Sequence, residues 1–507
     1  MIFSEQTGYD LAFVAAMSAL VVLLIGIAEL VRKSYPAFQE GTRKLVHMAT
    51  GLLIAGTPYV IGSKWPLVVV ALFFVIFNAI ALSRGWLSGL HDTLRPTLGT
   101  VFYPISFLIL LLWLWEDYRV VLICSMLIMA IADALAALVG GRAVRPRVYY
   151  LGPEAKSIQG SAAMFVTSFL IVLACLWLLG PKAGTAISVW WMALAVAIVA
   201  TVCEAISFNG SDNLTVPLGS AFILHYLLSR TPQDAVLLIV GLLLSLALAL
   251  VSYRIGFLNA SGAAASFLLG TIVFGVGRWT FALPILTFFI LSSLLSQLGK
   301  RKKKLYAGII EKGGRRDAMQ VIANGGVAGL LLLIWYFHPM PVFYLLYAAS
   351  LAAVTADTWA TELGLLSTTA PRSILTFKPV PAGTSGGLSL IGTAGAALGS
   401  MVLAAVSVMI APLSFLTASG GLEFILISSA GFVASLVDSL LGATWQARYI
   451  CPSCGKATEK RVHCRQQITR QVGGLSWMNN DVVNVLAAFS GMALAGLTRL
   501  VFKFCGH

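Results

Sequence analysis

The sequence predicts an all-α, polytopic integral membrane protein of about sixteen transmembrane helices, and three observations carry that prediction. Only 11% of the 507 residues are charged and 59% are hydrophobic, whereas soluble domains carry about 25% charged residues. Apolar runs long enough to cross a bilayer, ~20 residues, recur from one end of the chain to the other. The runs are continuously apolar rather than alternating. That selects helices over a barrel, because in lipid each helix satisfies its own backbone N–H and C=O groups.

In order, the expected spans are 11–31, 46–62, 66–82, 98–115, 119–139, 159–179, 186–206, 216–229, 234–253, 257–275, 279–298, 319–337, 341–361, 387–411, 423–443 and 481–498. The eighth is short and the tenth is rich in Gly, Ala and Ser. The first reads as a span and not as a cleaved signal peptide. The ten residues before it carry Glu5 and Asp10 but no Lys or Arg, and no small-residue cleavage site follows. The formal net charge is +14, and its placement reports orientation. With Met1 outside and each span crossing once, only Lys64, Arg119, Lys182, Arg230, Arg278, Arg499 and Lys503 of the 34 Lys and Arg residues lie outside. This positive-inside bias puts the motif-bearing loops on the cytoplasmic side and excludes nucleic acid as the partner of the basic residues. The KRKKK block at 300–304 reads as a cytoplasmic retention signal.

Cys124, Cys175 and Cys203 lie in apolar runs and are expected to pack as small hydrophobes. Cys505 stands alone. Cys451, Cys454 and Cys464 share one inside loop, 446–480, where a reducing compartment argues against disulfides.

Polar residues gather at the inner ends of spans. TRKLVHMATG, 42–51, puts Arg43 and His47 on one helix face; snorkelling and a packed histidine are the plainer reading. The segment 83–97, with Arg84, His91, Asp92 and Arg95, is expected to form a short interfacial helix. Asp133 lies at membrane depth, where an ionisable residue is costly and marks function. It is followed by Gly140, Gly141, Arg142, Arg145 and Arg147, then by Lys156, Ser157, Gly160 and Ser161. A carboxylate with cations and glycines can hold a metal-bound polyphosphate, the acid on magnesium and the cations and backbone N–H groups on phosphate oxygens. Glu204 closes the seventh span, and Asp212 and Asn213 follow it. Neither a P-loop nor the protein-kinase motif set occurs.

RKLVHMATG, DALAALVGGR, KSIQG and EAISFNGSDNLTVPL resemble the phytol kinase/dolichol kinase family of polyprenol kinases, which is related to the membrane CDP-diglyceride synthases. The resemblance covers about 10–230. It implies phosphorylation of a long isoprenoid alcohol, typically from CTP, and makes 1–232 a polyprenol kinase-like domain.

In the second half, EKGGRRDAMQVIANGG, 311–326, brings Arg316, Asp317, Gln320 and Asn324 to a span start. ADTWATELGLLSTTAPRSILTFKPVPAGTSGG, 356–387, holds Asp357, Glu362 and Lys378 and closes on Gly383, Thr384, Ser385, Gly386 and Gly387; a capped helix end with a turn-rich loop is the plainer alternative. SLVDSLLGATWQ places Asp438 near the inner end of another span. In the 446–480 loop, Cys451, Cys454, His463 and Cys464 have a spacing compatible with a small zinc knuckle that braces the loop. NNDVVN brings Asn479, Asn480, Asp481 and Asn484 to the last span. GRRDAMQVIANGG, ADTWATELG, KPVPAGTSGG, VDSLLGATWQ and NNDVVN resemble a second membrane family, DUF92/TMEM19-type, related to the plant phytyl-phosphate kinase. This resemblance covers about 255–500, makes 233–507 the second domain, and implies nucleotide-dependent phosphorylation of an isoprenoid monophosphate to the diphosphate.

The halves also look like a distant repeat. Asp133 and Lys156 are 23 positions apart, Asp357 and Lys378 are 21; Asp133 and Asp212 are 79 apart, Asp357 and Asp438 are 81. The expected machinery follows. Asp133, Glu204 and Asp212 hold magnesium in the first half, with Lys156, Arg142, Ser157, Gly160 and Asn213 around the phosphates. Asp357, Glu362 and Asp438 hold it in the second, with Lys378, Arg316, Asn324, Gly383, Thr384, Ser385, Gly386 and Asp481 on the phosphate side. CTP is the expected donor, and an isoprenoid alcohol and its monophosphate the substrates. Two rivals remain: a phosphatidate cytidylyltransferase-like enzyme, and a transporter, whose repeated halves and intramembrane acids would look similar.

Overall fold

The computed structural model describes residues 5–34, 39–84, 97–180, 187–299, 314–417, 420–464 and 467–505. The KRKKK block, His91, Asp92 and Arg95 fall outside these residues, as does the side chain of Arg43. All sixteen apolar runs are helical. The helices are α1 Glu5–Ser34, α2 Gln39–Val60, α3 Trp65–Ser83, α4 Gly99–Leu114, α5 Arg119–Leu127, α6 Asp133–Arg142, α7 Ile158–Leu179, α8 Val189–Ile206, α9 Asp212–Ser229, α10 Pro232–Arg254, α11 Ala260–Gly275, α12 Arg278–Gln297, α13 Ala318–Phe337, α14 Pro341–Gly364, α15 Leu390–Ile410, α16 Gly421–Thr444 and α17 Asn480–Cys505. A π-helical turn, Ile128–Ala132, joins α5 to α6 into one span. Among the described residues, twelve helical segments are long and apolar enough to cross a membrane. Of the other four runs, α4 and α11 are shorter apolar helices, while α2 and α9 begin with polar turns.

Two of the helix starts that differ from the hydropathy reading bear on the sites. α2 extends back to Gln39, so Lys44 lies inside the helix together with His47, as the helix-face reading of this segment expects. The fourteenth run begins as extended chain, β4 Gly387–Leu388, and becomes helical only at Leu390, where Ser389 accepts the Gly392 N–H as N-cap. Hydropathy does not register such a cap; hydrogen bonding does.

The chain divides into two compact units, Met1–Ile239 and Val240–His507. Each is built around one helix. The span carrying Asp133 has 72% of its most apolar window buried, and the span carrying Asp357 has 67%; no other span exceeds 56%. In the first unit, α5 and its π-turn pack against α2, α7 and α9, with Leu122, Met126, Ile128 and Met129 fully enclosed. In the second unit, α12, α13, α15, α16 and α17 surround α14. Its run of Ala348, Ala349, Ala352, Ala353 and Ala356 is sealed, because small residues let helix backbones approach where lipid gives no hydrophobic drive. Gly431 on α16 and Gly491 on α17 meet that stripe so closely that a Cβ would lie 2.6 Å from Ala352 and 2.8 Å from Ala353. Tyr347 and Tyr344 then donate to Phe281 O at 2.5 Å and Ser407 O at 2.7 Å, tying α14 to α12 and α15.

Candidate functional site

In the first unit the π-turn lies immediately before Asp133. Such turns insert one residue into a helix and recur at functional sites. Asp133 is buried and accepts an ion-paired bond from Lys44 Nζ at 2.8 Å. His47, one turn along α2, meets Met129 O at 3.1 Å and packs its ring edge-on to Tyr103. The chain then leaves α6 and folds into a hairpin, β1 Val148–Tyr150 paired with β2 Ala155–Ser157. Its last two residues do separate jobs. Ser157 caps α7 by accepting the Gly160 N–H, and Lys156 Nζ donates to Glu204 Oε1 on α8 at 2.7 Å. Burial disfavours the charge on Lys156, but Glu204, Asp212 and Asp133 outweigh it and raise its pKa above the usual 10.5. Those three acids therefore share one electrostatic neighbourhood with Lys156. Glu204 Oε2 is buried and has no hydrogen-bond partner. Asn213, beside Asp212, donates its backbone and side-chain N–H groups to Asp212 Oδ1. Arg142, the last residue of α6, is exposed.

In the second unit the acids are arranged differently. Asp357 on α14 and Asp438 on α16 lie close enough for each carboxylate to act on the other, and Asp438 Oδ1 is buried without a partner. Two carboxylates this close repel unless a proton or a cation lies between them. The glycine loop lies against the same stretch of α16. At Gly386 (φ 76°) an added Cβ would come within 2.5 Å of Ala443 Cβ and 2.6 Å of Ser439 O, so only glycine fits. Ser385 Oγ donates to Glu459 of the Cys/His loop. Gly383 is also in the left-handed region, and Thr384 O accepts the Gly387 N–H.

Five predicted members make other contacts or none with this pair: Glu362, Arg316, Lys378, Asn324 and Asp481. Glu362 is turned toward Ser296, from which it accepts a hydrogen bond, and toward Arg316. Arg316 lies 5.4 Å and 5.8 Å over the rings of Phe288 and Phe289. Burial lowers its pKa to about 10 even though Glu362 favours its charge. Lys378 is exposed, two residues past the turn at 374–376. Asn324 accepts from Asn484 at 3.1 Å, and Asp481 is buried at the start of α17.

The Cys/His loop forms two small hairpins, β5 Arg448–Ile450 with β6 Ala457–Thr458 and β7 Val462–His463 with β8 Gln467–Ile468; β9 Arg470–Gly473 completes the first sheet. The ligand atoms of Cys451, Cys454, His463 and Cys464 all lie within 4.8 Å of one another. Among the described residues this is the only set of three or more metal-capable side chains so gathered.

Element order sets a different pairing of the halves from the one spacing gave. Each unit runs from a buried span through a short hairpin to a Ser-capped helix, then to two further helices. Ser157 thus corresponds to Ser389, and Leu388 occupies the place of Lys156. α17 corresponds to α9, which aligns Asp481 with Asp212 and leaves Asp438 opposite Glu204. The geometry agrees. Asp133, Ala136 and Gly140 repeat as Asp357, Ala360 and Gly364. A Cβ at Gly160 would meet Ala136 O at 2.9 Å, and one at Gly392 would meet Ala360 O at 2.8 Å. Spacing failed here because the second loop is longer, which moves its lysine away from the cap. Lys44 and Glu459 also escaped the sequence reading; the signal for Lys44 was its i, i+3 relation to His47, and Glu459 left none.

Residues 243–492 match the integral membrane protein family DUF92. Protein PGR of Arabidopsis thaliana is 30% identical over 269 residues, which span 49% of this chain and 92% of the relative. The chain belongs to the DUF92 family. This DUF92 protein is also similar to a phytol kinase of Synechocystis sp., 32% identical over 197 residues, 39% of this chain and 83% of that one. Protein VTE6, chloroplastic, of A. thaliana is 28% identical over 248 residues, 48% of this chain and 65% of the relative. No solved structure gives a significant match.

Proposed function

We propose that this protein is a nucleotide-dependent isoprenoid kinase with two phosphoryl-transfer sites. The first unit phosphorylates phytol or a related prenol, and the second converts the monophosphate to the diphosphate, with CTP as donor. Similarity to a phytol kinase supports the substrate class.

The observation that carries the reading is the pairing of Asp357 with Asp438 beneath the Gly383–Gly387 loop. Phosphoryl transfer needs little covalent chemistry from the protein; it needs positioned charge. The donor set is hard oxygen, which suits magnesium. Asp357 and Asp438 would hold that ion in the second unit, and Asp133, Glu204 and Asp212 in the first. When bound it neutralises charge on the phosphate oxygens. The chain's own groups do the rest. The glycine-loop backbone cradles the phosphates, while Lys156 and Lys44 lie half-buried and ion-paired with acids of the first unit. Arg142 and Lys378, both exposed, meet a nucleotide arriving from water.

An apolar groove supports the same reading in the second unit. A cavity of about 300 Å³ is walled by Leu269, Phe274, Ile285 and Phe289, and carries Arg316 and Asn324 on its polar side. A hydrocarbon pocket with a guanidinium in its wall suits a phosphate borne on a greasy tail.

The test is product analysis with purified protein, phytol, magnesium and CTP labelled either at the γ-phosphate or in the base. Kinase chemistry puts γ-label on the lipid and releases CDP. Base label on the lipid with release of pyrophosphate would replace the proposal with cytidylyl transfer. Counterflow uptake by proteoliposomes without nucleotide turnover would replace it with transport.

A further inference from the structure

We propose that Cys451, Cys454, His463 and Cys464 bind one structural zinc ion, and that the zinc-fixed knuckle holds Glu459 against the glycine loop as a positioning residue for the Asp357–Asp438 site. The ligand set is three thiols and one imidazole, a standard tetrahedral zinc combination. Zinc bonds of 2.0–2.3 Å place tetrahedral ligand atoms ~3.3–3.8 Å apart. His463 Nδ1 already lies 3.5 Å from Cys454 Sγ and 3.2 Å from Cys464 Sγ. The backbone is shaped for this. Gly455 N–H donates to Cys451 O at 2.9 Å and Cys451 N–H to Lys456 O at 3.0 Å, turning the first ligand pair inward, with Gly455 at φ 67°. Cys464 itself sits at φ 38°, an uncommon conformation for a side-chain-bearing residue. Cys451 is fully buried and Cys454 and Cys464 are exposed; all three cysteines are free of disulfides.

A second observation gives the knuckle a purpose. Glu459 lies on the segment between the two ligand pairs. That segment is cross-tied to the second hairpin, because Thr469 N–H donates to Arg461 O at 3.0 Å and Thr469 Oγ1 to Lys460 O at 2.8 Å. Fixing both ligand pairs therefore fixes Glu459. Its carboxylate accepts from Ser385 Oγ and acts electrostatically on Asp438. A small loop with this little apolar core needs such a staple, since metal binding contributes folding free energy directly.

Metal content of the full-length protein, purified in reductant, tests the zinc site without reference to activity. One zinc per chain is expected in wild type and in Glu459→Gln, and none in Cys454→Ser/Cys464→Ser. In case that double variant fails to fold, the wild-type protein is treated with a zinc chelator, which should expose the cysteines to alkylation and the 446–480 loop to protease. Zinc-free wild-type protein, or a disulfide among these cysteines, overturns the site. The link to the acid pair rests on the kinase reading. Glu459→Gln should raise the magnesium concentration for half-maximal activity about tenfold, the usual scale for a lost outer partner of a metal site, with kcat unchanged. Glu459→Asp should restore part of that loss. A Glu459→Gln protein with normal zinc and unchanged magnesium dependence removes the positioning role and leaves the zinc site standing.

Discussion

At the residue scale, the two units solve the problem of intramembrane acids in opposite ways. In the first, two of the three acids have a lysine: Asp133 has Lys44 and Glu204 has Lys156. In the second, Asp357 and Asp438 have each other, and Leu388 stands where a lysine would be needed. Lys156→Met would leave Glu204 buried without its cation, at a cost of about 3–5 kcal/mol. That cost has a pH signature. The folded pKa of Lys156 is raised, so its stabilisation is complete below 10.5 and is lost as pH rises through the folded value. Thermal denaturation should show the gap between wild type and variant narrowing as pH rises above about 10.5; a gap that persists unchanged above that range would contradict the pairing. Asp438→Asn should do the reverse in the second unit. With chelator present it should raise Tm by about 2–4 °C, the equivalent of ~1 kcal/mol in a domain of this size, while abolishing both the magnesium-induced rise in Tm and activity. The four acids were legible in the sequence because a charge inside an apolar run is conspicuous. Their partners were not, since Lys44 and Asp133 are brought together only by helix packing, and Arg43 was an equal candidate on local spacing.

At the element scale, the recurring device is a hairpin that delivers a serine N-cap. Ser157 and Ser389 each receive the N–H of a glycine three residues on. Gly140 and Gly364 let the preceding helix lie against that cap, with distances to the glycine Cα of 3.5–3.7 Å from an added Cβ. The glycine loop of the second unit is held still more tightly. Gly386→Ala adds left-handed strain, ~1–3 kcal/mol, to a collision with α16. It should lower both Tm and activity, measured beside Gly141→Ala, whose added methyl meets nothing within 4 Å and should be neutral. Equal behaviour of the two variants would remove the loop from the site. The loop's composition announced a turn with phosphate-binding potential. Its partner surface on α16 did not show, because that contact joins residues far apart in the chain. The strands β3 Arg372–Ser373 and β4 were hidden for a similar reason: two residues each are too few to leave a periodic pattern.

At the scale of the whole molecule, apolar length and continuity were enough to read a multi-pass helical protein, and all sixteen runs became helix. Hydropathy could not separate the four short or polar-ended helices from full spans, because it measures transfer into lipid and those helices are stabilised by protein neighbours. The spans carrying Asp133 and Asp357 are the hubs of the two compact units, and it was their acids rather than their hydropathy that marked them. The central claim is that one unit makes the monophosphate and the other the diphosphate. The most direct measurement is lipid product analysis of wild type, Asp133→Asn and Asp357→Asn, each given CTP, magnesium and either phytol or phytyl monophosphate. The account predicts that Asp133→Asn fails on phytol but still converts supplied monophosphate, while Asp357→Asn accumulates monophosphate from phytol and makes no diphosphate from either substrate. Diphosphate formed from phytol at the wild-type rate by both variants would contradict it.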